Sequence, residues 1–599
     1  MEKSLYKNLL GLLAKYRWRF IAAFLMVLIS NLLLILNPLI FREAIYAFDP
    51  SSHRIQNWVG TSTHWLLGSF TSSILAWAVL LITIALVSSY FKYWMRFAFI
   101  SISRDAEVDI RDKLFGRIQS QSREFFDHHG VGELLSRLTN DITAYRELLG
   151  PGIMYPLFFL TIVTPGLIAL FSISTPLAML SIVPMILIPF LNGAVRDYIY
   201  KFSRAVQVSL GEMSNMTQEY FSGIRIVKGY AIENETLKKF KQLCKTFSQL
   251  SFKLACIQGM LFPLFTLLTR VVTVSLVLLA GYIILKAWDE LSAADFASFM
   301  WIQSYIFIPV LMLGWILPVY ERGRAAYSRL TEIYEEPIVV QDHPESVLQL
   351  PEKADIECAN LSFNYPKSEA PSLSSLNLFI KCGSFVGITG PVGSGKTTLL
   401  YLINREYEIP KDMLFVGSHE IHEYSLEVLK NAIIIVEQSS FLFSRSVAEN
   451  VRFGRLEASQ EELETVARFA DLHDTVTGFP EQYETMVGER GMTLSGGQKQ
   501  RVALARAFLV NREILLLDDI FSAVDTATEK RIFKAIKEHF QGKTVLLVTH
   551  RISILDQMDR ILYMSHGEIK EDGSPEELKK FNGFYAALAE LQKMSGEHP

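Results

Sequence analysis

Charge is scarce in this 599-residue chain, at 20% of residues, and scarcest before about residue 330, where long apolar runs dominate. Cysteine is scarcer still. Cys244, Cys256, Cys358 and Cys382 form no CxxC pair and no metal-ligand spacing, which excludes a disulfide framework or a cysteine metal centre and leaves reduced structural thiols. A surplus of positive charge is also missing: the net charge is −4, with no basic stripe, which excludes nucleic acid as the main partner. No signal peptide is visible. The first apolar run, from near Phe20, is too long for an h-region and lacks a small-residue cleavage site.

What the chain has is hydrophobicity, half of its residues, and enough length for several domains. Six segments, near 20–46, 72–100, 151–173, 176–195, 257–286 and 293–320, reach the ~20 mostly apolar residues that cross a bilayer. Only Ser174-Thr175-Pro176 separates the third from the fourth, so that turn must be tight. Lys3, Lys7, Lys15 and Arg17 among leucines predict an amphipathic helix on the inner membrane surface. Basic residues crowd 101–150 and 196–253, while the opposite loops offer little beyond Arg54 and Lys286. The positive-inside rule then places both termini and both long loops in the cytoplasm.

Helical periodicity runs on from the spans into those loops, over Ile100–Gln121 and Ser203–Tyr220. Turns follow at Asp127-His128-His129-Gly130 and Ser222-Gly223-Ile224. Two long hairpins with blunt tips have the shape to press on something beneath them; His128 and His129 read as solvated turn residues rather than a metal pair. Within the spans, Arg270 is the deepest ionisable residue, either snorkelling or paired, or facing a substrate cavity. Asn31, Asn37, Asn192 and Gln303 suit helix–helix hydrogen bonds, and Trp301, Tyr305 and Trp315 either pack or line an aromatic cavity.

Pro337, Pro344 and Pro351 mark a linker over 331–354, between a membrane domain of 1–330 and an alternating strand and helix domain of 355–599. The second domain is organised around Gly390-Pro391-Val392-Gly393-Ser394-Gly395-Lys396-Thr397. The apolar run Phe385–Thr389 precedes it and a helical run from Thr398 follows. Strand, glycine-rich loop and helix are the context of a phosphate-binding loop. Backbone N–H groups turn inward as an anion nest, Lys396 reaches the terminal phosphates, and Thr397 can hold Mg²⁺. Ile514–Asp518 reads as a buried strand ending in a carboxylate placed to hold that Mg²⁺ through water. Leu494-Ser495-Gly496-Gly497-Gln498 opens a helix and forms a second anion site. One nucleotide does not need two such sites in one chain, so Ser495 is expected to serve a nucleotide held by a second molecule.

With these motifs in place, the chain resembles an ATP-binding cassette exporter half-transporter over essentially its whole length. The resemblance implies a six-helix transmembrane domain followed by an α/β P-loop nucleotide-binding domain, working as one half of a dimer with ATP and Mg²⁺. It implies that Gly390, Gly393, Ser394, Gly395, Lys396, Thr397 and Thr398 bind the phosphates and that Tyr365 stacks on adenine. It further implies that Ser495, Gly496, Gly497 and Gln498 form the signature, and that Asp525, in Ser522-Ala523-Val524-Asp525, crosses the dimer interface. Thr397, Gln438 and Asp518 are the implied Mg²⁺ residues, Gln438 also contacting the membrane domain, and His550 the switch residue at the γ-phosphate. The stretches 125–141 and 223–228 resemble the two intracellular loops, the second of which docks on the partner's nucleotide domain in this family.

One position departs from the pattern. After the Mg²⁺ aspartate the family carries glutamate, the base for the attacking water; this chain carries Asp519, whose carboxylate falls about 1 Å short, a displacement that can cost about 100-fold in rate. The expectation is therefore the weak-site subunit of a heterodimer, whose partner carries the glutamate. Bacterial inner-membrane export of hydrophobic or amphipathic drugs or lipids follows from the resemblance and the low charge of the spans. A homodimeric lipid flippase and a nucleotide-gated regulatory protein without pumping are the alternatives.

Overall fold

A computed structural model describes residues 15–48, 58–68, 73–286, 291–343, 346–347, 349–351, 353–366, 368, 370–488 and 491–594. Lys3, Lys7 and Arg54 lie outside the described residues, as do the side chains of Asn192 and Trp315. The chain divides into two compact units, 1–118 with 132–336, and 119–131 with 337–599. The short segment 119–131, expected as part of the first domain, thus groups with the second.

The first unit is helical. Its long elements are α1 (Arg17–Phe48), α2 (Ile74–Gln119), α3 (Pro151–Ile173), α4 (Thr175–Ser222), α5 (Glu233–Lys286) and α6 (Ala293–Glu335). At about 1.5 Å per residue, the 46 to 54 residues of α2, α4 and α5 are roughly twice the length needed to cross ~30 Å of hydrocarbon. Each of these helices therefore joins an apolar half to a charged extension. Among the described residues, five helical stretches are long and apolar enough to cross a membrane, namely Arg17–Phe48, Ile74–Gln119, Val131–Ile173, Thr175–Ser222 and Glu233–Lys286. The sixth expected span falls within α6, which is not among these five on its described residues. Only 11–33% of the residues in these apolar windows are buried, which no water-soluble bundle would tolerate, so lipid is the solvent for the remainder. Between α3 and α4 a single extended residue, Ser174, makes the tight turn.

A buried charge cluster joins α1 to α6, and sequence reasoning missed it. Arg42 contacts Glu43 at 3.2 Å and Asp295 at 3.4 Å. The other Asp295 oxygen accepts from the Tyr46 hydroxyl at 2.5 Å and from the Ser292 N–H at 3.1 Å, closing a capping box at the start of α6. Arg42, Glu43 and Asp295 are at most 5% exposed. A charge so placed persists only when paired. Replacing Asp295 with alanine removes an acceptor from Arg42, Tyr46 and Ser292 together, for an expected loss of about 3 kcal/mol. The transporter's melting midpoint in detergent should fall by roughly 5 °C or more; an unchanged midpoint would show that the cluster holds nothing. Arg270, by contrast, is exposed on α5 and makes no ion pair among the described residues.

The second unit carries two sheets. A four-stranded antiparallel sheet has the order β2-β1-β4-β5, formed by Leu373–Ile380, Ile356–Phe363, Leu414–Val416 and His419–Glu420. The six-stranded sheet runs β10-β9-β3-β8-β7-β6, with β3 (Phe385–Thr389), β6 (Ile433–Val436), β7 (Ile514–Asp518), β8 (Thr544–Val548) and β9 (Arg560–Ser565) parallel and β10 (Glu568–Gly573) antiparallel at the edge. Every residue of β3, β7 and β8 is buried, which is why these strands read as unbroken apolar runs. Parallel pairing in register, Val436 with Leu517 and Asp518 with Val548, brings the ends of β3, β6, β7 and β8 to one edge. That edge is where open α/β sheets take their ligands.

Candidate nucleotide site

From the end of β3 the chain turns through the glycine loop into α7 (Lys396–Ile403). Gly390 has φ +141°, and a Cβ there would meet the Met564 carbonyl oxygen at 1.9 Å. Gly395 caps α7 in the left-handed region at φ +95°. Neither position admits a side chain, so the loop keeps its backbone N–H groups turned inward. Lys396, 8% exposed, donates to the carbonyls of Gly390 at 2.9 Å and Pro391 at 2.7 Å, and to Ser394 Oγ at 3.2 Å. Its ammonium is thus held inside the loop, and burial pulls its pKa below the usual lysine value.

The neighbouring strand ends complete the site. Thr397 Oγ1 donates to Asp518 Oδ2 at 2.8 Å, so hydroxyl and carboxylate oxygens share one spot at the start of α7. Burial raises the Asp518 carboxyl above its ordinary range. Gln438, just beyond β6, donates from Nε2 to Asp519 Oδ2 at 3.0 Å. Asp519 sits at φ +46°, its N–H bound to the Val548 carbonyl at 2.9 Å, and burial raises its carboxyl too. His550 leaves the end of β8, its pKa lowered by burial and then by Lys396. The Tyr365 hydroxyl lies 3.1 Å from Thr398 Oγ1, and its ring meets Tyr407 edge-on at 5.3 Å.

Together these are a phosphate cradle, a cation-sized pair of oxygens and a carboxylate–amide pair on one sheet edge. Residues 20–310 match the family described as ABC transporter transmembrane region, and residues 373–522 the family described as ABC transporter. The chain is 32% identical to the multidrug resistance-like ATP-binding protein MdlA of Escherichia coli over 88% of each protein. The chain belongs to the ABC transporter family. The transporter is also 31% identical to the ATP-dependent lipid A-core flippase of Syntrophus aciditrophicus, over 87% of this chain and 86% of that one. Its fold matches the structure of a bacterial Atm1-family ABC exporter with ATP bound, with a TM-score of 0.75 across 97% of this chain and 99% of that one, at 23% identity. It is an integral membrane protein that works as a dimer and couples ATP hydrolysis to transport.

The transporter's remaining expected residues lie apart from the glycine loop. Ser495 begins α8 (Gly496–Val510) and is exposed; its hydroxyl accepts from the Gln498 N–H at 3.3 Å while Gln498 Oε1 accepts from the Ser495 N–H at 2.8 Å. No hydrogen bond joins 495–498 to 390–398 among the described residues. Asp525 Oδ1 caps α9 (Thr526–His539), accepting from Ala527 and Thr528, so within this chain it serves its own helix.

The structure adds residues that sequence reasoning did not assign. Gln500 donates to Ser522 Oγ at 3.1 Å and to the Gln438 carbonyl at 3.4 Å, tying α8 to both loops. Arg123, in the segment 119–131, contacts Glu406 at 2.5 Å and Glu437 at 2.6 Å, and its guanidinium lies 3.9 Å over the Tyr401 ring. Burial alone would lower the Arg123 pKa; the two carboxylates more than reverse this. Four residues on, Asp127 accepts from the Tyr407 hydroxyl at 2.5 Å. No motif flagged Glu406, Tyr407 or Arg123, because each acquires its meaning only from a partner about 280 residues away.

Proposed function

We propose that this chain is the weak-site half of a heterodimeric exporter of hydrophobic or amphipathic compounds, drugs or lipids, in a bacterial inner membrane with both termini in the cytoplasm. The observation that carries the heterodimer reading is Asp519 in the position of the water-activating glutamate. Its short carboxylate is engaged by Gln438 at 3.0 Å. Support for the exposed Ser495 serving another molecule comes from its hydrogen bonds, which among the described residues go to Gln498 and not to this chain's own glycine loop. The relatives' names, multidrug resistance-like protein and lipid A-core flippase, support the substrate class.

In this reading Gly390, Gly393, Ser394, Gly395 and Lys396 hold the phosphates of ATP, with Thr398, and Tyr365 swings from its Thr398 contact to face the adenine. The Thr397 hydroxyl and Asp518 carboxylate, 2.8 Å apart, are the hard oxygen donors that Mg²⁺ takes, with Gln438, whose amide here contacts Asp519 at 3.0 Å, as the third residue. When bound, the ion neutralises charge building on the phosphates. His550 contacts the γ-phosphate, and the signature of each chain closes on the nucleotide of the other. Closure favours one state of the membrane helices over another, which is alternating access driven by differential binding. The segment 119–131 grips Glu437, next to Gln438, and so senses the phosphate side.

The test is ATPase activity of the purified chain alone and with candidate partner chains. Alone it should turn over at about 1% of the rate of the complex. Vigorous hydrolysis by the lone chain would overturn the weak-site reading.

A further inference from the structure

His550 is held from behind by the last of the described helices. Gln592, on α10 (Phe584–Met594), donates from Nε2 to the His550 carbonyl at 2.6 Å. The same amide accepts, through Oε1, from the Ile552 N–H at 3.1 Å. An amide that grips a carbonyl and the N–H two residues on fixes the backbone between them, and with it the direction of the His550 side chain. The far side is fixed as well. Arg551 donates to the carbonyls of Phe521 and Val524, each at 2.8 Å, and pairs with the fully buried Glu529.

The helix that carries Gln592 is itself anchored. Tyr585 is fully buried with Leu555, Ile561 and Leu578, and its hydroxyl donates to Asp556 at 2.8 Å. The Glu571 carboxylate accepts from the first N–H groups of the helix, at 2.5 Å from Phe584 and 2.9 Å from Tyr585. A rigid mount of this kind is what a precisely aimed group requires. It lies beyond residue 522, where the match to the ATP-binding family ends.

We propose that Gln592 is a positioning residue for γ-phosphate recognition: it sets the backbone at His550 so that the imidazole meets the γ-phosphate, making the helix Phe584–Met594 a part of the nucleotide switch. The proposal rests on the reading of His550 as the γ-phosphate contact. Gln592 touches no nucleotide; it acts through His550. Without it the His550 carbonyl loses its hold, leaving that peptide, among the described residues, only the Arg551 N–H bond to Thr549 Oγ1 at 3.2 Å, and discrimination between ATP and ADP weakens.

The experiment compares ATP and ADP affinity of the full-length chain in lipid nanodiscs by displacement of a fluorescent nucleotide. Gln592→Met keeps the packing volume and removes both hydrogen bonds. It should lower the preference for ATP over ADP about tenfold, since one aimed, charge-assisted contact is worth roughly that factor. Gln592→Glu keeps the acceptor toward Ile552 and repels the His550 carbonyl, and should fall between. Leu591→Ala, at an exposed neighbour on the same helix, should change nothing. His550→Ala should lose the preference to the same extent, and the double variant H550A/Q592M no further. Additive losses in the double variant, or an unchanged preference in Q592M, would overturn the proposal. If H550A alone left the preference intact, the reading of His550 itself would fail, separately from that of Gln592.

Discussion

Ser495→Arg in this chain should lower ATP turnover of the assembled transporter by about 100-fold or more, the cost of losing a donor aimed at developing phosphate charge. Asp519→Asn should lower it by less than about threefold, because a carboxylate that falls about 1 Å short contributes little. The asymmetry follows from the proposed division of one active site between two subunits. Ser495 is exposed at the start of α8, where two glycines leave backbone N–H groups free for an anion. Its own hydroxyl is only loosely engaged, accepting from Gln498 at 3.3 Å, so it can turn to a phosphate at small loss. Asp519, by contrast, is bound by Gln438 at the sheet edge that carries this chain's own glycine loop. Steady-state ATPase of the purified complex reads both variants. The reverse ranking would mean that hydrolysis depends on this chain's own carboxylate, which the proposed division of labour forbids.

The second large effect concerns transmission rather than chemistry. Arg123→Ala leaves Glu406 and Glu437 facing each other with no cation between them, and removes the surface on which Tyr401 stacks. The Arg123 side chain is 31% exposed, so the several kcal/mol of a fully buried pair is discounted to about 2 kcal/mol. That corresponds to about a 30-fold shift in the docking of segment 119–131 on its cassette. Substrate transport into inverted vesicles should fall by about that factor while basal ATPase stays within about threefold. Equal loss of both activities would show that Arg123 maintains the nucleotide site instead of carrying its signal. Asp127→Asn, which keeps an acceptor for the Tyr407 hydroxyl, should show a smaller uncoupling.

What could be read directly from the chain was what short stretches carry. The glycine loop, the strand ending in Asp518 and the signature each hold their meaning within about ten residues, and the parallel sheet then brings them to one edge. The apolar segments were legible for the same reason, since a bilayer imposes length and composition on each span alone. The charge cluster of Arg42, Glu43 and Asp295 was not, because its halves lie 253 residues apart and each half alone resembles an interfacial charge. Arg270 drew attention as the deepest charge, yet it is the exposed one, whereas the paired charges sit near the helix ends. Sequence continuity puts segment 119–131 with the membrane half, whereas Arg123 and Asp127 find their partners in the cassette. Gln592 was invisible for a related reason: its hydrogen bonds go to backbone atoms, which no side-chain pattern records.

The most direct test of the shared site uses cysteines introduced at Ser495 of this chain and at the position in the partner's glycine loop equivalent to Val392, in a background free of native cysteine. A short bifunctional reagent should join the two subunits when ATP and vanadate are present, and much less without nucleotide. Absence of any nucleotide-dependent link between subunits, with residue 495 instead joining residue 392 of its own chain, would contradict the account.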